Sequence, residues 1–232
     1  MSKLSERIHH MEWEFPSAGG LDGTDIECIE SCVKEQISKV GETLTIADVG
    51  CWTGKSTVSF ALSCPKGDIT AIDWFKGSDG TSLALAVEGV SVKDVLQANL
   101  RYFDVLNRIK ILETTSLEAV KQFPDNHFDI VFIDADHRYL NVKADLNAWW
   151  PKVKTGGIFC GHDCEFLLKA PTPEQLKDNP LAPNAWHIFD ERDDNGWNGD
   201  DYLQFHPGVV RVVSKKFPQA TIIGKRVWKV IK

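Results

Sequence analysis

Short runs of consecutive apolar residues alternate along this chain with longer segments in which apolar residues recur every three or four positions. The short runs predict buried strands, and the longer period predicts amphipathic helices. The predicted strands open the stretches 44–56 and 128–139 and also span 68–73, 108–113, 158–161, 220–223 and 226–230. Strands that alternate with helices in this way indicate an α/β fold built on an open sheet.

Helical spacing is clear over residues 24–40, with Thr24 predicted as the N-cap and Gly41 as the stop. Further helices are predicted over about 55–62, 92–106, 142–150 and 207–217. Residues 1–24 lack this spacing, and we interpret them as an arm or short helix that covers a ligand site or contacts the second subunit of a homo-oligomer. Residues 75–91 are rich in Gly, Ser and Asp, which is typical of a lid or of a spacer.

Composition limits the class of protein. With 232 residues, of which 43% are hydrophobic and 25% charged, the chain can bury the core of one soluble domain. A formal charge of −7 gives no general attraction to phosphate backbones and argues against nucleic acid as a partner. The N-terminal residues have no apolar signal-peptide core and no run approaches the ~20 residues of a membrane span, so we expect a cytoplasmic protein without a membrane partner. The six scattered cysteines indicate reduced thiols.

A glycine-containing turn follows the first strand, and we call residues 50–54 the glycine bend. Gly50 and Gly54 allow the backbone to turn sharply against a ligand, while Ser56 is expected to satisfy free amides where the next helix begins. A phosphate-binding P-loop would need glycine where Val49 stands, and a dinucleotide-binding G-x-G-x-x-G would need glycine where Trp52 stands. Both of these interpretations are therefore disfavoured.

The remaining pattern, acid-x-Gly-x-x-x-Gly, begins at Asp48 and resembles motif I of class I S-adenosylmethionine-dependent methyltransferases. This resemblance implies that the bend holds the methionine end of the cofactor, with contacts from Asp48, Gly50, Trp52, Gly54 and Ser56. It also implies a Rossmann-like sheet of seven strands with helices on both faces and antiparallel strands at the end. A turn that binds nothing is the alternative interpretation of this motif alone.

Residues at the ends of two further strands predict contacts to a nucleoside. Asp73 ends the second strand, where an acid can accept hydrogen bonds from both ribose hydroxyls. Trp74 follows it and can stack on adenine or pack on its own loop. Thr115 and Ser116 follow the third strand, where their turn would border the adenine ring, although Ser116 could also serve only as an N-cap. The acid at Asp73 would serve NAD equally well.

Polar residues gather where the fourth and fifth strands end. Asp134, Asp136 and His137 follow the fourth strand, and His162 and Asp163 follow the fifth. Adjacent parallel strands finish at the same edge of a sheet, so these side chains are predicted to share one pocket. Carboxylates and imidazoles from two strands are good ligands for a divalent metal ion.

Three segments together resemble the metal-dependent small-molecule O-methyltransferases that include antibiotic-sugar methyltransferases and a relative in cephalosporin biosynthesis. They are residues 133–139 (Ile-Asp-Ala-Asp-His-Arg-Tyr), 156–163 (Gly-Gly-Ile-Phe-Cys-Gly-His-Asp) and 206–210 (His-Pro-Gly-Val-Val). The resemblance covers about residues 25–232. It implies that Asp134, which also borders the cofactor, binds Mg²⁺ together with His162 and Asp163, and that His137 is the general base. Asp136 is the alternative base or orients the base.

His162 departs from the family pattern, in which this position is acidic. Magnesium prefers oxygen ligands, so either His162 lies outside the ligand sphere or the site accepts a softer ion such as Mn²⁺. We therefore predict transfer of a methyl group from S-adenosylmethionine to a small-molecule hydroxyl, with residues 164–205 forming the acceptor pocket. An NAD-linked oxidoreductase and a cofactor-binding subunit without catalysis remain the alternatives.

Overall fold

The computed structural model describes residues 2–9, 20–77, 89, 91–168 and 206–232. Within them the chain forms a sheet of seven strands with helices on both faces, which confirms the predicted fold class. The strands are β1 (Thr45–Val49), β2 (Asp68–Asp73), β3 (Ile109–Glu113), β4 (Phe128–Ile133), β5 (Val153–Gly161), β6 (Thr221–Ile223) and β7 (Val227–Ile231). The helices are α1 (Lys3–His9), α2 (Gly23–Val40), α3 (Lys55–Ser63), α4 (Val92–Tyr102), α5 (Ser116–Ala119), α6 (Tyr139–Trp149) and α7 (Pro207–Lys216).

The strand order is β3-β2-β1-β4-β5-β7-β6. The five strands β1 to β5 pair in parallel, whereas β7 runs antiparallel to both β5 and β6. The strand order reverses beside β1, which has β2 on one side and β4 on the other. In open α/β sheets the crevice beyond such a switch point is the usual ligand site.

Alternating residues of the strands supply two hydrophobic cores. On β4, Ile130 and Phe132 pack into the core formed with α1, α2, α3 and α4, whereas Val131 and Ile133 pack into the core formed with α5, α6 and α7. Both faces of the central strands are therefore covered, which explains why β1 and β4 are almost uninterrupted apolar runs.

The N-terminus of α2 differs from the prediction. Asp22 is the N-cap in place of Thr24, because its side chain accepts from the backbone N–H groups of Thr24 and Asp25. The Asp25 side chain in turn accepts from the backbone N–H of Asp22 at 2.8 Å, which completes a capping box. Asp25 thus points back toward the start of the helix.

Several predicted boundaries are also wrong. β5 begins at Val153 and not at residue 158, because the chain remains extended through Gly156 and Gly157 and pairs there with the C-terminal residue, Lys232. Helix α6 begins at Tyr139, three residues earlier than predicted, and α4 ends at Tyr102, four residues earlier than predicted. The predicted inward positions Leu146 and Trp149 on α6 are fully buried.

Residues 2–9 of the predicted arm contain the short helix α1. Residues 1 and 10–19 of the arm, 78–88 and 90 of the predicted lid and 169–205 of the predicted acceptor pocket lie outside the described residues. Among the helices that are described, none has the length and apolar character needed to cross a membrane.

Candidate active site

The glycine bend is bound tightly to the ends of both neighbouring strands. Gly50 has φ 87°, in the left-handed region that favours glycine, and its N–H donates to the carbonyl oxygen of Ile72 on β2 at 2.8 Å. A Cβ at Gly50 would lie 2.1 Å from the carbonyl oxygen of Asp134, which follows β4. The fold therefore needs glycine here both for the turn and for the close approach of the chain that carries Asp134.

Asp48 lies fully buried below the bend. It accepts hydrogen bonds from the hydroxyls of Ser56 at 2.8 Å and Thr57 at 2.5 Å. Ser56 was predicted to cap backbone amides of α3, but its hydroxyl is used by Asp48 instead. Burial raises the pKa of Asp48 to about 7, although the two hydroxyls partly offset this effect. The second carboxylate oxygen, Oδ1, is buried without a hydrogen-bond partner among the described residues.

Asp73 joins the glycine bend to β2. One of its carboxylate oxygens accepts from the backbone N–H of Trp52 at 2.9 Å, and the other accepts from that of Phe75 at 2.7 Å. Both donors have positive φ angles, 46° at Trp52 and 59° at Phe75. Burial raises the pKa of Asp73, against the effect of the backbone donors. Asp73 thus lies at the carboxyl end of β2 beside the glycine bend, as the sequence predicted, and Trp74 follows it.

The turn after β3 makes contacts of its own. The Thr115 side chain caps α5 by accepting from the backbone N–H of Glu118 at 3.4 Å. Ser116 donates to the buried Asp145 at 2.6 Å and accepts from the indole N–H of Trp149 at 2.8 Å. Ser116 is therefore not the N-cap, and its hydroxyl takes part in a network that ties α5 to α6.

The structure brings together four of the polar residues predicted from the sequence, Asp134, His137, His162 and Asp163, which we call the donor cluster. Nε2 of His137 lies 3.4 Å from Asp134 Oδ1 and 3.2 Å from Asp163 Oδ2. Nδ1 of His162 lies 3.0 Å from Asp163 Oδ1 and 3.8 Å from Asp134 Oδ2. The backbone N–H of His162 donates to the carbonyl oxygen of Ile133, so pairing between β4 and β5 sets this arrangement.

Asp136, the predicted alternative base, binds Arg138. The Arg138 guanidinium donates to both Asp136 oxygens, at 3.0 and 2.9 Å from Nε and at 2.5 Å from Nη2. Burial opposes a charge on Asp136, but the hydrogen bonds from Arg138 outweigh it and lower the pKa. A carboxylate held in this way is a weak base.

Charges around the donor cluster are strongly coupled. Burial opposes a charge on His137, but Asp163 and Asp134 outweigh it and raise the pKa of His137 to about 9. The pKa of His162 rises to about 10 because Asp134, Asp163 and Asp25 outweigh its burial in the same way. Burial also opposes a charge on Asp163, but the histidines around it hold its pKa far below the ordinary value. The carboxylates of the cluster thus stabilise positive charge next to them.

Four residues beside the donor cluster were not assigned roles from the sequence. His206, at the N-cap of α7, lies 2.8 Å from Glu165 Oε1 and 3.5 Å from Asp163 Oδ1. The Asp25 carboxylate on α2 lies 3.1 Å from Nε2 of His162. The Arg226 guanidinium lies 3.2 Å from the carboxylate of Asp25 and 3.7 Å from that of Asp163. The capping box could have been found from the spacing of Asp22 and Asp25, but nothing in the sequence indicates that Asp25 reaches β5.

The donor cluster fits a divalent metal ion. One donor atom each from Asp134, His162 and Asp163 lie within 4.8 Å of one another. Asp25 Oδ1 and His162 Nε2 are buried without an aligned hydrogen-bond partner among the described residues, although Asp25 Oδ2 approaches Nε2 closely. Two carboxylates and an imidazole form a donor set that divalent ions accept.

Sequence comparison identifies the family. A family described as methyltransferase domain matches residues 47–164, about half of the chain, from β1 to the residues that follow β5. The chain therefore belongs to this methyltransferase domain family. It is also 26% identical over 124 residues to the uncharacterized protein y4gI of Sinorhizobium fredii; this match covers 52% of the chain but 13% of that longer relative.

Solved structures share the fold. A Staphylococcus aureus protein assigned as a caffeoyl-CoA O-methyltransferase has a TM-score of 0.60 and 18% identity, with 100% of this chain and 93% of that chain covered. The SAH-bound methyltransferase PaMTH1 of Podospora anserina also has a TM-score of 0.60, with 13% identity and 99% and 87% of the two chains covered. At these identities the likeness shows the Rossmann-like methyltransferase fold.

Proposed function

We propose that the protein transfers the methyl group of S-adenosylmethionine to a hydroxyl oxygen of a small molecule with the help of a divalent metal. The observation that carries this proposal is the direct packing of the glycine bend on the chain that leads into the donor cluster. A Cβ on Gly50 would lie only 2.1 Å from the carbonyl oxygen of Asp134. A cofactor held by the bend therefore lies next to the groups that prepare the acceptor.

In this proposal the cofactor binds to the glycine bend and to the residues at the carboxyl end of β2. In this proposal Asp73 accepts from the ribose hydroxyls while it still receives the N–H groups of Trp52 and Phe75, since each carboxylate oxygen can accept more than one hydrogen bond. The methionine end lies along residues 50–54, above the buried Asp48. Trp74, Thr115 and Ser116 complete the adenine side.

The reaction forms a carbon–oxygen bond to the acceptor and breaks the carbon–sulfur bond of the sulfonium. A sulfonium methyl group is already electrophilic, so the protein has to align the hydroxyl and accept its proton. His137 takes this proton, and Asp134 and Asp163 stabilise the imidazolium that results, because both carboxylates lie within 3.4 Å of Nε2. The products are the methyl ether and S-adenosylhomocysteine.

Asp134, His162 and Asp163 would hold the metal. When bound, a divalent ion offsets the carboxylate charge that keeps His137 protonated, lowers the pKa of the acceptor hydroxyl and orients it. The acceptor class that best suits such a centre is a vicinal diol or a catechol, because both of its oxygens can reach one ion. The predicted acceptor pocket within 164–205 would supply the rest of the specificity.

Two measurements test the proposal. Calorimetric titration with S-adenosylmethionine, S-adenosylhomocysteine and NAD should show binding of the first two and none of NAD; the reverse result would favour an oxidoreductase. A panel of catechols, sugars and flavonoids is then incubated with S-adenosylmethionine and either Mg²⁺ or Mn²⁺, and products are identified by mass spectrometry. Cofactor binding without any methylated product would favour a non-catalytic cofactor-binding subunit.

A further inference from the structure

The environment of His162 differs on the two sides of its ring. Nδ1 faces the donor cluster, 3.0 Å from Asp163 and 3.8 Å from Asp134, while Nε2 faces away from it toward Asp25 at 3.1 Å. His162 and Asp25 are both almost fully buried, with 2% and 0% exposure, so water has little access to either nitrogen. Only Nδ1 is placed to reach an ion held between the two carboxylates.

Two contacts hold the Asp25 carboxylate in place. The backbone N–H of Asp22 donates to it within the capping box, and the Arg226 guanidinium lies 3.2 Å away. Arg226 is itself anchored, because its carbonyl oxygen accepts from the N–H of Cys164, just beyond β5, at 2.9 Å. The helix N-terminus, the turn between β6 and β7 and the end of β5 thus meet at His162.

Close packing keeps α2 against that turn. Gly224, between β6 and β7, has φ 61°, and a Cβ there would lie 2.7 Å from the sulfur of Cys28 and 3.0 Å from Cγ2 of Thr24, both on α2. This contact leaves no room for α2 to move closer to the turn. The start of α2, which carries Asp25, therefore packs directly on the turn that leads to Arg226.

We infer that the metal centre takes a first-row transition ion such as Mn²⁺ in preference to Mg²⁺, with Nδ1 of His162 as a ligand and Asp25 as the residue that positions it. This inference rests on the proposed function for the location of the metal. Two ligands bound at about 2.1 Å and at right angles lie about 3 Å apart, close to the 3.0 Å between His162 Nδ1 and Asp163 Oδ1. Imidazole nitrogen favours transition ions, whereas Mg²⁺ favours oxygen.

The same ring contact explains the position of Asp25. When an ion binds Nδ1, the proton of the neutral ring lies on Nε2, where the Asp25 carboxylate, 3.1 Å away, can turn to accept it. A second set of possible donors, His137, Asp163 and His206, fits less well, because the nitrogen of His206 that lies 3.5 Å from Asp163, Nδ1, already lies 2.8 Å from Glu165. His137 then remains available as the base.

The test measures metal binding without cofactor or acceptor. Calorimetric titration of the whole protein with Mn²⁺ and with Mg²⁺ should give tighter binding of Mn²⁺, and electron spin-echo spectra of the Mn²⁺ complex should show modulation from a directly bound nitrogen. His162→Asp should abolish the modulation from Nδ1 and bring the two affinities together. Equal affinities in the unmodified protein, or Mn²⁺ bound without nitrogen modulation, would overturn the inference.

Asp25→Asn tests the positioning role. It should weaken Mn²⁺ binding by about 10- to 100-fold, as removal of outer-sphere partners does. Asp22→Ala is the matched control, because it removes the side-chain hydrogen bonds that cap the same helix without contact to His162, and it should lower the melting temperature while leaving Mn²⁺ affinity unchanged. Equal losses of affinity in both variants would overturn the role of Asp25. If Mn²⁺ binds as expected but S-adenosylmethionine does not, the proposed function fails and the metal inference stands.

Discussion

Gly50 in the bend and Asp134 after β4 touch through their backbones, so the cofactor side and the acceptor side of the site form one packed unit. The Asp134 N–H donates to the carbonyl oxygen of Val49 at 2.8 Å, and the Cβ position of Gly50 falls 2.1 Å from the Asp134 carbonyl oxygen. A substitution on the cofactor side should therefore alter the structure of the acceptor side, and the reverse should also hold.

Gly50→Ala tests this packing. The added methyl group meets the Asp134 backbone and also strains the positive φ, so we expect a loss of about 2–5 kcal/mol in the free energy of unfolding and a large loss of cofactor affinity. Gly156→Ala is the matched control, because φ is 80° there and no atom of the described residues lies within 4 Å of the new Cβ. It should cost only about 1–2 kcal/mol. Urea denaturation of both variants compares them, and equal losses would show that the contact with Asp134 does not matter.

Asp73→Asn should weaken S-adenosylmethionine binding. The amide nitrogen of asparagine cannot accept the backbone N–H that Asp73 now receives from Trp52 or Phe75, and the charge that would bind the ribose hydroxyls is lost. We expect about a 10- to 100-fold loss of affinity by calorimetry. Asp68→Asn, at the exposed start of the same strand, is the control and should bind normally. Unchanged affinity in Asp73→Asn would remove this residue from the cofactor site.

Two variants distinguish the candidate bases. His137→Gln should lower kcat by about 100- to 10,000-fold, because the proton acceptor is lost. Asp136→Asn should lower it less than about tenfold, because Arg138 already occupies that carboxylate. Initial-rate assays at saturating cofactor and acceptor give kcat for both variants, and calorimetry checks that cofactor affinity is retained. A larger loss in Asp136→Asn than in His137→Gln would reverse the assignment.

Asp145 gives a prediction on stability and pH. Burial raises its pKa to about 6 from 3.8, partly offset by the hydrogen bond from Ser116. The folded state therefore holds this proton more tightly than the unfolded state, so the contribution of Asp145 to stability is fully present below the unfolded pKa of 3.8 and is lost as pH rises through about 6. The difference corresponds to roughly 3 kcal/mol.

Asp145→Asn lacks this pH dependence. Relative to the variant, the unmodified protein should become less stable as pH rises from about 4 to about 7, as measured by urea denaturation at each pH. Other titrating groups are common to both proteins and cancel in this comparison. The amide oxygen of the variant side chain can still accept the hydrogen bond from Ser116, so the network around it is kept. Parallel stability profiles for the two proteins would show that burial does not raise the pKa of Asp145.

Local patterns in the sequence predict much of this fold. The apolar runs of β1 and β4 and the glycines at 50 and 54 mark the strands and the bend, because burial on both faces and positive φ angles leave a local signature. The convergence of His162 with Asp134 also follows from the order of parallel strands. The early start of β5 at Val153 is different, because it depends on pairing with the C-terminal residue, Lys232.

The errors at the site come from side-chain contacts that the local pattern does not specify. Ser56 resembles a helix cap in sequence, yet the buried Asp48 takes its hydroxyl. Asp25 and Arg226 are 201 positions apart and meet only because β7 pairs with β5. No local pattern reports such a contact, which is why the roles of Asp25 and Arg226 beside His162 were not predicted.

The most direct test of the whole account is a crystal structure of the protein with S-adenosylhomocysteine and Mn²⁺, with diffraction recorded at the manganese absorption edge. The account predicts the ribose beside Asp73, the methionine end along residues 50–54, and an anomalous peak bound by Asp134, His162 and Asp163. An adenosyl group bound elsewhere, or a well-occupied cofactor with no manganese peak among these three residues, would contradict it.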